Sequence, residues 1–203
     1  MELRNGTLTV SRELSELDTD VLEFTQILDA CEVDYVIVSG YVAILTGRSR
    51  STEDIDIILE SLSETETEQL VTELKNQGYW GMAMPLDEMH SMLSEGSRIR
   101  IAEEGKMYPN FETWFVSNDV EREALSNPLT VTFDEGQIEI SSLELQIAYK
   151  LRLAQAADSL SGKDFEDALH LYLTFEERFN TEQLETYVTE LGVEDYYAEL
   201  EGV

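Results

Sequence analysis

Thr52-Glu53-Asp54-Ile55-Asp56-Ile57-Ile58-Leu59 sets two carboxylates two residues apart inside a run of β-branched and aliphatic side chains. Alternate residues of a strand share a face, so a strand here projects Asp54 and Asp56 together and sends Ile55 and Ile57 into a core. Adjacent carboxylates repel, and a divalent cation with oxygen ligands is the usual means of keeping both ionised. The pair points to a Mg2+ or Mn2+ site. The simpler alternative is two solvated acids at a strand edge.

Upstream, Asp34-Tyr35-Val36-Ile37-Val38 reads as a short buried strand, Ser39-Gly40 as a tight turn and Tyr41-Val42-Ala43-Ile44-Leu45 as the start of a helix. A small-residue turn entering a helix presents unpaired N–H groups at the positive end of the helix dipole, where a phosphate can sit. A Ser-Gly turn can also be plain loop geometry. Taken in order, strand, turn, helix and acid-bearing strand compose a nucleotide site.

Val38-Ser39-Gly40, thirteen further residues and Asp54-Ile55-Asp56 resemble the signature of the DNA polymerase β-like nucleotidyltransferases, where a Gly-Ser or Gly-Gly turn precedes an Asp-x-Asp or Asp-x-Glu pair. The run Arg50-Ser51-Thr52-Glu53-Asp54-Ile55-Asp56 is similar to the Arg-x-Thr-x-Asp-x-Asp stretch of the AbiEii and MenT-type toxin branch. Leu143-Glu144, Ile147-Ala148-Tyr149-Lys150-Leu151 and Gly162-Lys163-Asp164-Phe165-Glu166-Asp167-Ala168 look like that branch's C-terminal helical region with its Lys-Asp-x-x-Asp stretch. The resemblance covers about Glu32 to Leu173. It implies metal-dependent transfer of a nucleotidyl group from an NTP to a hydroxyl of protein, RNA or a small molecule. A toxin–antitoxin component would also have a cognate antitoxin as partner.

By the same resemblance, Asp54 and Asp56 are Mg2+ ligands, Ser39 and Gly40 contact phosphate, and Arg50 and Lys163 neutralise phosphate charge. Arg50 could instead pair with Glu53. Members carry a third carboxylate, often Asp, on a later strand. The best candidate here is Glu112 in Pro109-Asn110-Phe111-Glu112-Thr113-Trp114-Phe115-Val116, whose alternation separates Phe111, Thr113 and Phe115 from Glu112, Trp114 and Val116. Glu112 would be third ligand or general base, with Glu103 as the fallback. The chain departs from the pattern in having Glu rather than Asp there and Ser39 at the first glycine position. A second reading is a catalytically inactive nucleotide-binding or interaction module of the same fold. A third is an acidic scaffold with Tyr196-Tyr197 as an exposed anchor.

The 203 residues suffice for one core with a helical annex, and Cys31 is the single cysteine, so no internal disulfide forms. Cys31 reads as a helix-end residue and His170 as a packed helix residue. The expected fold is α/β: a small mixed sheet with flanking helices over residues 1–140, then a helical region over 141–203 packed on it, with breaks at Gly162, Asn180 and Gly192. Amphipathic spacing predicts a helix over Leu17–Cys31 and another, with cap-like residues across Ser61–Glu68, that continues through Leu70, Val71 and Leu74 and ends at Gly78. Strands are expected at Tyr79–Met84, around Ile99–Ile101 and at Ile138–Ile140. No apolar run approaches the roughly 20 residues of a membrane span, and Met1-Glu2-Leu3-Arg4-Asn5 lacks a signal peptide's apolar region, so a cytoplasmic location is expected.

Charge is the other strong statement of the composition: 43 acidic against 13 basic residues, net −30, with Lys75, Lys106, Lys150 and Lys163 the only lysines. Generic DNA or RNA binding needs a basic stripe, and none exists here. The scarce bases concentrate near the motifs, at Arg48 and Arg50 and at Lys150 and Lys163. The two lysines could alternatively balance Glu144, Asp164 and Glu166 through helix-face pairs. Self-repulsion on this scale is tolerable where molar salt shortens the Debye length to about 3 Å, which points to a halophilic, haloarchaeal cytoplasm. Circular dichroism melts should therefore show the unfolding midpoint rising as KCl goes from dilute buffer to molar. A stable fold in dilute buffer that KCl does not stabilise would contradict this.

Overall fold

The computed structural model describes residues 1–4, 6–176 and 178–202. At its centre lies β4 (Asp54–Leu59), antiparallel to β3 (Tyr35–Val38) on one side and parallel to β7 (Asn110–Phe115) on the other. Beyond β7 run β6 (Ile99–Glu103) and the edge strand β5 (Tyr79–Gly81), both in antiparallel pairings. Beyond β3 come β9 (Gln137–Ile140), β8 (Leu129–Thr132), β2 (Thr7–Thr9) and β1 (Glu2–Arg4). Among the described residues these nine short strands make one mixed sheet. The architecture is α/β, as the sequence implied, and the sheet is widened by strands at the N-terminus and at 129–132.

One face of the sheet carries Ile55, Ile57, Phe111, Ile99 and Ile101, all buried. It is covered by α1 (Glu16–Ala30), whose Phe24 ring stacks on Phe111 with centroids 3.9 Å apart. Nearby, α3 (Glu64–Asn76) starts at a Ser63–Glu66 capping box and is followed by Gly78 at φ +82. The opposite face is polar where β4 and β7 begin. Toward their ends it turns apolar at Ile58 and Trp114, which are buried together with Ala124 of α5 (Asp119–Ser126) and Leu145 of α6 (Leu143–Ala156). One end of this face is thus closed by helices and the other left open.

From residue 143 the chain is helical: α6, α7 (Lys163–Phe175), α8 (Thr181–Leu191) and α9 (Glu194–Glu201). The breaks fall where the sequence set them. Gly162 and Asn180 precede the second and third of these helices, and Gly192 closes α8 in the left-handed conformation at φ +65. Three expectations change. The strand from Tyr79 stops at Gly81, where the chain doubles back so closely that a Cβ on Gly81 would stand 2.2 Å from the Met84 carbonyl oxygen. Tyr197 is buried and Tyr196 half-buried, its ring 6.4 Å from that of Phe165, so the Tyr196-Tyr197 pair is helix packing and no exposed anchor. The strands β1, β2 and β8 and the helix α5 are additions.

The N-terminus of α1 is pinned to α2 (Gly40–Leu45) by a buried carboxylate. Asp18 accepts from Arg12 Nη1 at 2.5 Å and Nη2 at 3.2 Å, from the Ser15 N–H at 2.8 Å, and from the Tyr41 hydroxyl at 2.8 Å. Burial pushes its pKa up, but the bonds from Arg12, Ser15 and Tyr41 outweigh burial together and hold it below the usual carboxylate value. A depressed folded pKa contributes stability that is fully present above the ordinary carboxylate range and lost as pH falls through the folded value. Asp18→Ala should lower stability by roughly 2–4 kcal/mol, combining a lost cap with lost charge-assisted bonds. Denaturant melts of the two proteins should differ at pH 7 and converge on acidification.

Candidate active site

β4 and β7 pair in parallel with Asp54 opposite Asn110 and Asp56 opposite Glu112, while β3 places Val38 opposite Asp56. Cross-strand neighbours share a face, so Asp54, Asp56 and Glu112 project together on the open end of the polar face. Ser39, the residue after Val38, turns the chain at φ +66 into α2. The two aspartates and the bend are therefore side by side. Asp56 is driven up to about 6 by burial first and then by the Glu112 charge, with a smaller push from Asp54. A hydrogen bond from Ser39 and the charge of Arg98 pull the other way. Glu103, the fallback third acid, lies on the opposite face, because Arg100 is the residue in register with Glu112.

Two amides fix this frame. Asn110, buried at the head of β7, donates through Nδ2 to Asp54 Oδ1 at 2.7 Å and to the Glu53 carbonyl at 3.1 Å, and its Oδ1 has no hydrogen-bond partner. Gln146, buried on α6, accepts from the Ser39 N–H at 3.2 Å and donates to the Ser39 carbonyl at 2.9 Å. The Ser39 N–H is consequently bonded within the protein. Sequence reading passed over both amides. The one available signal was a lone Gln inside the apolar run Leu143–Leu151.

Arg50 sits against the bend: a Cβ on Gly40 would fall 2.7 Å from Arg50 Nη2. Arg50 does not pair with Glu53 in this arrangement. Its Nη1 donates to Asp167 Oδ2 at 2.6 Å, and the same carboxylate receives Arg48 at 2.5 Å and Lys150 at 3.1 Å. Lys150 also bonds Asp164 at 2.6 Å, and Arg48 bonds Glu166 at 2.5 Å. Asp167 is 0% and Lys150 2% exposed, so Lys150 is a buried structural partner. Lys163 is exposed and joins this cluster through its carbonyl, which accepts from Arg48 at 3.1 Å. Among the described residues nothing ties the Lys163 ammonium to the acid face. His170 is half-buried and its ring approaches the Thr46 carbonyl at 3.2 Å, the packed role expected of it.

Asp54 and Asp56 set their carboxylates on one face with surplus negative charge, the chemistry that suits a hard divalent cation. Among the described residues no three Asp, Glu, His or Cys side chains already converge on one point. The reason is Glu112: it accepts from Arg98 at 3.1 Å and from Arg100 at 3.2 Å, and the Arg100 guanidinium also lies 3.8 Å from Asp54. The donor set thus fits a cation held by the two aspartates, with Glu112 adjacent but engaged.

No family model matches the chain, and no curated protein matches it by sequence. Solved structures do. The antibiotic-resistance factor ANT(2'')-Ia, in its complex with adenylyl-2''-tobramycin, superposes with a TM-score of 0.56 at 11% identity over 87% of this chain and 97% of its own. Its solution structure gives 0.52 at 13% identity, over 91% of this chain and 94% of its own. An antigenic nucleotidyltransferase-like protein from Paracoccidioides brasiliensis gives 0.54 at 16% identity over 93% and 94%. This chain has their fold. At such identities the likeness is one of fold, and the residues of the acid face must carry any chemistry.

Removing Asp167 would leave Arg50 without a carboxylate and Arg48 and the buried Lys150 with one partner each, Glu166 and Asp164. Asp167→Ala should cost about 3–5 kcal/mol, the range for breaking a buried pair from one side. A thermal melt indistinguishable from wild type would show the cluster to be dispensable.

Proposed function

We propose that this protein is a metal-dependent nucleotidyltransferase that moves a nucleotidyl group from an NTP to a hydroxyl acceptor. The observation that carries the reading is the placement of Asp54, Asp56 and Glu112 on one open sheet face against the Ser39–Gly40 bend, on a fold shared with nucleotidyltransferase-like structures. Asp54 and Asp56 would hold Mg2+ or Mn2+. Such an ion, when bound, neutralises the acid pair and the triphosphate and lowers the pKa of the attacking hydroxyl.

The remaining work falls to the chain. Asn110 orients Asp54, and Gln146 holds the Ser39 bend in place. Arg50, fixed by Asp167 beside Gly40, supplies positive charge where the triphosphate would lie. Glu112, beside Asp56, completes the ligand set or takes the acceptor's proton at its carboxylate.

Two motifs more than a hundred residues apart support placement in the AbiEii and MenT-type branch, because Arg50 of the first and Asp167 of the second bond at 2.6 Å. The toxin–antitoxin role, a cognate antitoxin partner and a halophilic cytoplasm belong to the same proposal. Growth arrest on expression, abolished by Asp56→Ala, tests the toxin role. The arginine pairing of Glu112 favours one alternative, a nucleotide-binding module without turnover.

With Mg2+ or Mn2+ and labelled NTPs, the protein should release pyrophosphate, and chelation should stop it. Asp54→Ala and Asp56→Ala should each reduce turnover more than roughly 100-fold, the upper end for losing even a group that orients a metal ligand. Asn110→Ala should fall within that range. Nucleotide binding without turnover from any NTP would leave the module reading standing.

A further inference from the structure

The acid face has two flanks. Arg50 and the bend lie on the β3 side, whereas Arg98 and Arg100 lie on the β6 side, with β4 and β7 between. Strands are about 4.8 Å apart, so the two basic flanks are separated by roughly three spacings, with the aspartates and Glu112 in the middle. If the triphosphate lies against Arg50, as in the function proposed above, the acceptor approaches from the β6 flank. That flank is cationic. Arg98 donates to Glu112 Oε2 at 3.1 Å and stacks 3.7 Å over the Trp114 ring, and Arg100 donates through Nε to Glu112 Oε1 at 3.2 Å. Both arginines are about half exposed, at 48% and 53%.

In a chain with 43 acids and 13 bases, two neighbouring arginines on an open face beside three carboxylates are a notable allocation. We propose that Arg98 and Arg100 are the acceptor-recognition residues, and that the acceptor is a small hydroxyl compound carrying a phosphate group. Half-exposed arginine–carboxylate pairs are worth only about 0–1 kcal/mol, whereas a phosphate offers the guanidinium fork a doubly charged, bidentate partner. An arriving phosphate therefore displaces Glu112 from both arginines. The freed carboxylate stands in register with Asp56, so acceptor loading and completion of the three-acid set become one event. The overall charge of −30 disfavours a long polyanion, which selects a small phosphorylated compound over RNA.

This proposal rests on the transferase reading, and the test separates the two. In a Trp80→Phe background Trp114 is the sole tryptophan, and the change in its Arg98 contact as that arginine exchanges Glu112 for phosphate can be followed by fluorescence. Ribose 5-phosphate, added to protein saturated with a nonhydrolysable NTP and Mn2+, should give a saturable change that ribose does not. Arg98→Ala and Arg100→Ala should each weaken that binding at least tenfold with melting midpoints unchanged, and Arg98→Lys, which lacks the planar fork, should not restore it. Ribose binding as tightly as ribose 5-phosphate, binding unaffected by the substitutions, or competition between ribose 5-phosphate and the NTP would each overturn the proposal. So would Arg98- and Arg100-independent labelling of an RNA 3′ end. Absence of pyrophosphate release with intact, arginine-dependent phosphate binding would end the transferase reading while upholding the anion site.

Discussion

The buried carboxylate of Asp167 is the constraint on which the site depends. It lies on α7, and it receives Arg48 and Arg50 from the segment joining α2 to β4 and Lys150 from α6. A single group thus ties the helical region to the residues that lead into the acid-bearing strand. Buried ion pairs often contribute little net stability, since desolvation offsets the attraction. What this cluster supplies is geometry: it leaves Arg50 one position, against a Gly40 that has no side chain to oppose it. The glycine and the aspartate are therefore parts of one device, although 126 residues of chain separate them.

That Asp54 and Asp56 share a strand face was legible in the sequence because it needed only the two-residue period of a strand, and Ile55 and Ile57 are fully buried as that period requires. The helix breaks at Gly162, Asn180 and Gly192 were legible for a similar reason, being local backbone chemistry. What failed to show was whatever depends on partners distant in the chain. The strands β1, β2 and β8 are three or four residues long, too short for a period to register, and they exist because neighbours complete their ladders. Arg98 and Arg100 alternate with Ile99 and Ile101 and carry no motif of their own, and only the β6–β7 register turns them onto Glu112. Lys150 was open between a local polyanion site and pairing with nearby acids, and its burial against Asp164 and Asp167 of α7 places it with the acids.

The distribution of the few bases also shows how so acidic a chain can hold a core. Arg12, Arg48, Arg50 and Lys150 are directed to Asp18 and Asp167, both buried. An unpaired buried carboxylate would be costly in any protein, and here the surrounding field of negative charge would add to that cost. Most exposed acids have no such partner and rely on solvent and counterions. Screening by salt and internal ion pairing would in this sense be complementary, because screening acts on exposed charges and hardly on buried ones.

The two basic flanks of the acid face differ in a way that follows from this economy. Arg50 is bound to a carboxylate with no solvent exposure, so exchanging that partner for a ligand would leave a buried charge behind. It can only add its remaining donors to a ligand and must itself stay in place. Arg98 and Arg100 are bound to a carboxylate that is 17% exposed and borders open solvent, and their pairing can be given up at small cost. One flank is thus built to position and the other to exchange. In the proposed transfer, that division would let preorganisation lower the cost of binding the donor, while selection among acceptors would use a contact that forms only when the right one arrives.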